Sequence, residues 1–399
     1  MTGTVRPPTT ERARIVRGLA AMLELPDATG LARFASADPQ GWEQVRRLIT
    51  IHGLAPHLFR NCGADALAGS LAQHQFAWLA EQDTLNARRI ERMHAELAAI
   101  LAAAASSGIA VIPLKGALLT TMPGTDPHRR PMGDLDLLVR PADRYAMGLL
   151  LRSLGYRHEP EANPRPTHDV FVDPGRGRVV SRDEHPDNPR RVEVHVELLR
   201  HLWGWLDEDR LTDQMWANAR PGEVLGEPAL LPATGDVLSH VAMHATADLL
   251  YGRGRLVQWL DIASLAGIAS LAGNEGRATF SGEPHRRLAY PSVSLTRRAL
   301  PHAMAGLDVE TLEANMPERL VRWTRSVTFD HRSGLMISGQ RRVPHSLAAR
   351  AARWAPVPWR LTVAYGDRPS PVALALHARF MAGRWRGRFS FRAVDPDAD

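Results

Sequence analysis

The stretch Asp134-Leu135-Asp136-Leu137-Leu138-Val139 constrains this chain more than any other. Side chains alternate faces along a β-strand, so Asp134 and Asp136 point one way and Leu135 and Leu137 the other. Two carboxylates a few ångströms apart repel and are costly to bury unless a cation lies between them. The strand therefore asks for a sheet whose polar face holds a positive ion. Magnesium suits that place, being hard, oxygen-seeking and satisfied by one or two carboxylates plus phosphate oxygens. Two such ions about 3.5 to 4 Å apart can clamp the attacking and leaving oxygens of a phosphoryl displacement, which calls for a third carboxylate from a neighbouring strand.

Arg191-Val192-Glu193-Val194-His195-Val196-Glu197 offers one. Its valines face one side, and Glu193, His195 and Glu197 face the other. Glu193 is the expected third acid, placed to hold metal and to help remove a proton from an attacking hydroxyl. His195 shares its face and is expected to support it from behind. The same alternation also fits an edge strand with a solvated face, so it informs only in combination with the aspartates. Lys115, in Ile112-Pro113-Leu114-Lys115-Gly116-Ala117, is the single lysine among 49 basic residues. Arginine serves wherever a generic positive charge suffices, and one compact, flexible point charge has been kept. Its place after an apolar run and before a glycine suits phosphate contact, with a surface lysine of no special role as the alternative.

Up to about residue 105 the chain reads as helical. Gly41 to Ile51 and Gln73 to Ala104 carry apolar residues at three- and four-residue spacing. The second has Leu79, Leu85, Ile90, Met93, Leu97 and Leu101 on roughly one face, and Ser106-Ser107-Gly108 stops it. The pattern then changes. Ile109 to Leu114 reads as a buried strand, Ala117 to Met122 as a short helix and Pro123 to Met132 as a loop. After the strand Asp134 to Val139, Pro141 to Leu154 reads as a helix ended by Gly155, with a short strand near Tyr156. The polar stretch from His158 to Arg191 holds candidate strands at Asp169 to Val172 and near Val179, and Arg191 to Leu198 is the last strand. Helical periodicity returns from Thr234 to about Leu271 and again beyond Arg297. The expected organisation is an N-terminal helical region (1–105), an α/β core (106–230) and a C-terminal helical region (231–399).

Length and composition narrow the class. A chain of 399 residues with 44% hydrophobic content supports two or three domains with a substantial core. A single cysteine, Cys62, excludes an internal disulfide framework and a thiolate-rich zinc site. The polar N-terminus has no signal-peptide core, and no apolar run approaches the length of a membrane span. The expected class is a cytoplasmic enzyme. The net charge of +6 permits contact with polyphosphate or nucleic acid.

Leu114-Lys115-Gly116, an arginine-bearing gap, Asp134 to Val139, and Val192-Glu193-Val194-His195 together resemble the uncharacterised nucleotidyltransferase family of the polymerase-β superfamily. The likeness extends in texture to the helix before Gly108-Ile109, to Val237 through His244 and to Trp259-Leu260-Asp261-Ile262. It implies an α+β fold: a polymerase-β-like core of a small mixed sheet with helices, between N- and C-terminal helical regions. It also implies metal-dependent transfer of a nucleoside monophosphate from a nucleoside triphosphate to an acceptor hydroxyl or phosphate, releasing pyrophosphate. Carried onto this chain, Asp134, Asp136 and Glu193 are the catalytic and metal-binding acids, and Lys115, Gly116 and Arg130 bind the nucleotide. Mg2+ or Mn2+ is the implied cofactor. The chain departs from the wider superfamily at the glycine turn, where Ala117 stands in place of a serine or second glycine. Lys115 is positioned to compensate for the missing hydroxyl. Arg130, four residues before Asp134, offers a fork suited to bidentate phosphate contact, with Arg129 beside it.

Other features carry less. His240 and His244 share a helical face and are expected to look toward the nucleotide cleft or to be hydrogen-bonded in the core, with a zinc site as a minor alternative. Asp261 is expected to orient one of them or to cap a turn. Between Arg353 and Arg392 the chain interleaves arginine with Trp354, Trp359, Phe380, Trp385, Phe389 and Phe391. That pattern suits RNA or an anionic membrane surface, or a terminal helix packing its aromatics on the body. Two rival readings accompany the transferase: a toxin-like enzyme modifying tRNA or protein, and an inert nucleotide-binding scaffold of the same fold. The acceptor is unspecified by any residue.

Overall fold

The computed structural model describes residues 11–35, 39–159, 168–173, 185–199, 210–250, 254–271, 280 and 285–327. Six helices come first: α1 (Glu11–Glu24), α2 (Ala28–Ala35), α3 (Pro39–His52), α4 (Ala55–Cys62), α5 (Ala64–Ser70) and α6 (Gln73–Ser106). The long helix α6 ends where the sequence says it should. Gly108 takes a positive φ of 69°, and the Ile109 N–H turns back to Ala104 O at 2.9 Å, a left-handed cap that glycine adopts without strain. Along its inner face α6 buries Leu79, Ile90, Met93, Leu97 and Leu101 as expected. Between these apolar ends it also buries Asp83, Asn86 and Arg89. Each has a partner: Arg60 for Asp83, and the main chain of residues 128–133 and 185–188 for the other two.

The α/β section follows as β1 (Val111–Leu114), α7 (Lys115–Leu119), β2 (Asp134–Val139), α8 (Arg144–Ser153), β3 (Arg157–Glu159), β4 (His168–Val172) and β5 (Arg191–His195). The five strands form one mixed sheet in the order β1-β2-β5-β4-β3. Only β2 and β5 run parallel; the other three pairs are antiparallel. The α+β class and the small mixed sheet thus agree with expectation. One alternative is corrected. The segment carrying Glu193 lies inside the sheet, between β2 and β4, so it is no solvated edge strand. The candidate strand near Val179 lies outside the described residues.

Then come α9 (Arg210–Asn218), a two-stranded hairpin of β6 (Arg220–Val224) and β7 (Glu227–Leu231), and the helices α10 (Thr234–Leu250), α11 (Leu256–Leu271), α12 (His285–Ala299), α13 (Val309–Ala314) and α14 (Glu318–Ser326). Two apolar clusters meet at the five-stranded sheet. One face buries Leu135, Leu137, Val192, Val194 and Phe171 against α6 and α8, with Val224 and Ala229 of the hairpin. On the other side Ile112, Leu114 and Leu138 join the cluster of Val237, Leu238, Val241 and Trp259 from α10 and α11. The face bearing Asp136 is therefore roofed by helices at one end, which takes its polar groups out of bulk water. No helix among the described residues is long and apolar enough to cross a membrane.

The β6–β7 hairpin escapes a reading from sequence because its turn is Leu225-Gly226, with φ of 56° and 81°. Two positive φ angles suit a two-residue hairpin but normally select Asn-Gly or Gly-Gly. Leu225 is 40% exposed and lies outside both apolar clusters, so little packing offsets its left-handed backbone. Leu225→Asn should therefore raise stability by about 1 kcal/mol, read as a higher urea midpoint at unchanged m-value. An unchanged or lower midpoint would show that Leu225 makes a contact worth more than its strain.

Candidate active site

Strand register brings the acids together. Asp136 sits opposite Leu114 of β1 on one side and Glu193 of β5 on the other, while His195 is in register with Leu138 and with His168 of β4. Paired residues of neighbouring strands share a face, so Asp136, Glu193, His195 and His168 all project from the same side of the sheet. The His195 Nε2 lies 2.9 Å from Asp136 Oδ1 and 3.5 Å from Glu193 Oε2. The His168 ring stacks on that of His195, with centroids 5.0 Å apart, and its Nε2 is 3.8 Å from Glu193 Oε2. Asp136, Glu193 and His195 can each turn one ligand atom toward a common point, the three atoms lying within 4.8 Å of one another. Two carboxylate oxygens and one imidazole nitrogen are a donor set that fits a divalent cation. Asp134 is on the same face one step along β2, in register with Arg191 and outside that three-residue cluster.

Lys115 supplies the counter-charge. Because Leu114 pairs with Asp136, the very next residue arrives beside the carboxylate, and the Lys115 Nζ donates to Asp136 Oδ1 at 2.6 Å. To enter α7 from β1 so abruptly, Lys115 adopts φ of 44°, a left-handed conformation costing a non-glycine residue about 1–2 kcal/mol. Burial opposes charge on both partners, yet attraction overrides it. The carboxylates of Asp136, Glu193 and Asp134 hold the lysine pKa above its ordinary value. The Lys115 charge and the His195 hydrogen bond hold Asp136 well below the carboxylate range. Burial likewise opposes protonation of His195, but its bonds to Asp136 and Glu193 raise its pKa. Asp136 and His195 are each only 1% exposed, so this is a desolvated charge cluster and not a surface ion pair.

Gly116 and Arg130 form the next layer. A Cβ on Gly116 would come within 2.7 Å of the Arg130 guanidinium and 2.9 Å of the Met132 side chain, so glycine is what lets the loop before β2 lie against α7. The Arg130 fork is bidentate on Asp261, from Nε at 2.8 Å and Nη2 at 2.9 Å. This corrects the expectation for Asp261, which grips Arg130 of the loop and neither orients a histidine nor caps a turn. Arg129 is exposed and 3.5 Å from Asp126. His240 is buried, and burial with the nearby Lys115 charge pushes its pKa well below the ordinary value; His244 lies 3.5 Å from Asp248. The arginine and aromatic side chains between residues 353 and 392 lie outside the described residues.

Two site-building residues have no signal in the sequence. His168 comes from a strand whose register is set only by folding. Arg89, in the middle of α6 and 1% exposed, donates to four carbonyls: Met132 O at 2.7 Å, Gly133 O at 2.8 Å, His185 O at 2.9 Å and Asn188 O at 3.2 Å. It therefore ties together the segments leading into β2 and β5, the strands that carry Asp136 and Glu193. An arginine on a helix spaced by apolar residues looks solvated from sequence. Arg89→Met should cost about 3–5 kcal/mol of unfolding free energy, because four carbonyls, in two buried and two part-buried contacts, lose their donor. A loss under 1 kcal/mol in urea denaturation would show that water or a neighbouring side chain takes over.

The chain has likenesses among known proteins. A crystal structure of an antigenic nucleotidyltransferase-like protein from Paracoccidioides brasiliensis is similar to the chain at 14% identity, covering 55% of this chain and 93% of that one with a TM-score of 0.35. No curated protein matches the chain. The family model of an uncharacterised nucleotidyltransferase matches residues 38–271, a span holding the whole five-stranded sheet and α10 and α11. The chain belongs to the uncharacterised nucleotidyltransferase family.

Proposed function

We propose that the protein moves a nucleoside monophosphate from a nucleoside triphosphate to an acceptor hydroxyl or phosphate, with Asp134, Asp136 and Glu193 as its acids and Lys115, Gly116 and Arg130 on the nucleotide side. The observation that carries the reading is the cluster of buried Asp136 and His195 with half-buried Glu193, in which the single lysine of the chain and His195 share one Asp136 oxygen. A structural role alone does not account for it. Burying two carboxylates, an ammonium and an imidazole together costs more than an apolar core of the same volume. Such clusters persist where charge is put to use.

In this reading the triphosphate enters along α7. The acceptor oxygen attacks the α-phosphorus, the bond to the bridging oxygen of the β-phosphate breaks, and pyrophosphate leaves with the electron pair. Glu193, on the β4 side of Asp136, is the group that takes the acceptor's proton. Lys115 exchanges Asp136 for the departing phosphates, where a flexible point charge can follow the leaving group. Gly116 lets Arg130 close over the turn that would meet the phosphates, where Ala117 offers no serine hydroxyl. Arg130, held by Asp261, contributes fixed positive charge behind the turn; burial opposes that charge, but Asp261 first, then Asp134 and Asp136, raise its pKa. A divalent ion bound among the acids supplies charge neutralisation and polarises the phosphoryl oxygens.

The test is transfer of label from each α-labelled nucleoside triphosphate, with Mg2+ or Mn2+, into fractionated extract and into the protein itself. Asp136→Asn should lower label transfer by more than about 100-fold while the far-ultraviolet spectrum is unchanged. Near wild-type transfer in that variant removes Asp136 from the chemistry. Lys115→Arg keeps the charge but loses the compact ammonium, and should weaken triphosphate binding by about tenfold or more. Unchanged affinity and rate in Lys115→Arg would assign the lysine to charge balance alone.

A further inference from the structure

The acids expected from sequence make an all-oxygen site, and such a site suits Mg2+. The atoms in the folded chain are arranged otherwise. The three side chains that converge are Asp136, Glu193 and His195, and Asp134 stands outside them. We propose that His195 is itself a metal ligand through Nε2, so that the site takes a borderline divalent ion such as Mn2+ in preference to Mg2+. The inference rests on the transferase reading above and specifies its ion.

Three observations carry it. The first is spacing. Bonds of about 2.1 Å at right angles place neighbouring ligand atoms about 3 Å apart. The His195 Nε2 is 2.9 Å from Asp136 Oδ1, now a hydrogen bond and the length of one such edge, and 3.5 Å from Glu193 Oε2, half an ångström longer than another. The second is aim. His195 lies in an interior strand, 1% exposed, with its ring plane fixed by the stacked His168 at an interplanar angle of 27°. A ring held in this way cannot easily swing aside to let an ion contact the carboxylates alone. The third is charge. A divalent ion at this point displaces the Lys115 ammonium from Asp136 Oδ1 and the proton by which His195 Nε2 bonds that carboxylate, the proton leaving to solvent, so the charge brought in replaces charge that departs and Lys115 is freed toward phosphate. Imidazole nitrogen binds transition ions in the order that rises from Mn2+ toward Cu2+, whereas Mg2+ holds oxygen ligands and gives up its water reluctantly. With a nitrogen in the set, selectivity therefore turns away from Mg2+. The carboxylate majority keeps the site within reach of Mn2+.

Electron spin echo modulation of the Mn2+-loaded full-length protein, without nucleotide, tests this directly. The wild type should show 14N modulation, which changes to a 15N pattern when histidine is 15N-labelled and disappears in His195→Gln. In equilibrium competition, Mg2+ should displace Mn2+ from the wild type only at more than tenfold excess, and His195→Gln should narrow that ratio about tenfold. Bound Mn2+ with no nitrogen modulation, modulation that survives in His195→Gln, or a ratio that the substitution leaves unchanged overturns the inference and leaves the transferase reading standing. A folded wild type that binds neither ion, with or without a nonhydrolysable triphosphate, overturns both.

Discussion

One carboxylate oxygen organises this molecule. Asp136 Oδ1 accepts from the Lys115 ammonium at 2.6 Å and lies 2.9 Å from the His195 imidazole, in a place almost closed to water. An ionised aspartate there is stable because the Lys115 ammonium, just past β1, and the His195 imidazole of β5 both bond it. The architecture around it reads as the means of bringing them. The antiparallel pairing of β1 with β2 sets Leu114 against Asp136, so the next residue must be the one that turns over the carboxylate. The parallel pairing of β2 with β5 then sets Glu193 beside it and His195 two residues on. The left-handed backbone at Lys115 is the strain this arrangement carries, and it sets the ammonium on the carboxylate.

The supports around the sheet follow the same logic of arginine gripping what strands cannot. Arg89 gathers carbonyls from the two segments that enter β2 and β5, and Arg130 reaches across to Asp261 on α11. Each replaces several weak loop contacts with charge-assisted hydrogen bonds from a planar fork, a geometry lysine does not offer. Bracing loops calls for a rigid fork, whereas the single lysine reaches one carboxylate oxygen with a small charge on a flexible stem. Gly116 completes the arrangement by letting the Arg130 loop lie against the first turn of α7.

Periodicity made the elements of this region legible. The run Asp134 to Val139 forms a strand with those ends, α6 begins at Gln73, and β4 and β5 fall within a residue or a few of their expected bounds. Local signals of this kind survive folding because each is set by a burial pattern within a few residues. The failures have one local cause and one distant one. The β6–β7 hairpin turns on a leucine that ordinarily disfavours positive φ. The stretch from Asp83 to Arg89 buries polar side chains on a helix face that apolar spacing alone cannot reveal, since the partner of Asp83 is the Arg60 guanidinium of another helix and those of Asn86 and Arg89 are carbonyls more than forty residues away.

By itself, the sequence determined that two aspartates share a strand face, that a glutamate and a histidine share another, and that a lone lysine and a glycine stand at the end of a buried strand. Alternation of side chains along a strand is a property of the backbone and needs no neighbour. Which of those groups meet was decided only by the sheet. Register set Asp136, and not Asp134, into the cluster with Glu193 and His195. Strand order moved the glutamate from a conceivable edge to the interior, and pairing with β4 laid His168 against His195. These are distances between residues far apart in the chain. They come from the packing of two apolar clusters on opposite sides of one small sheet, which no local pattern encodes.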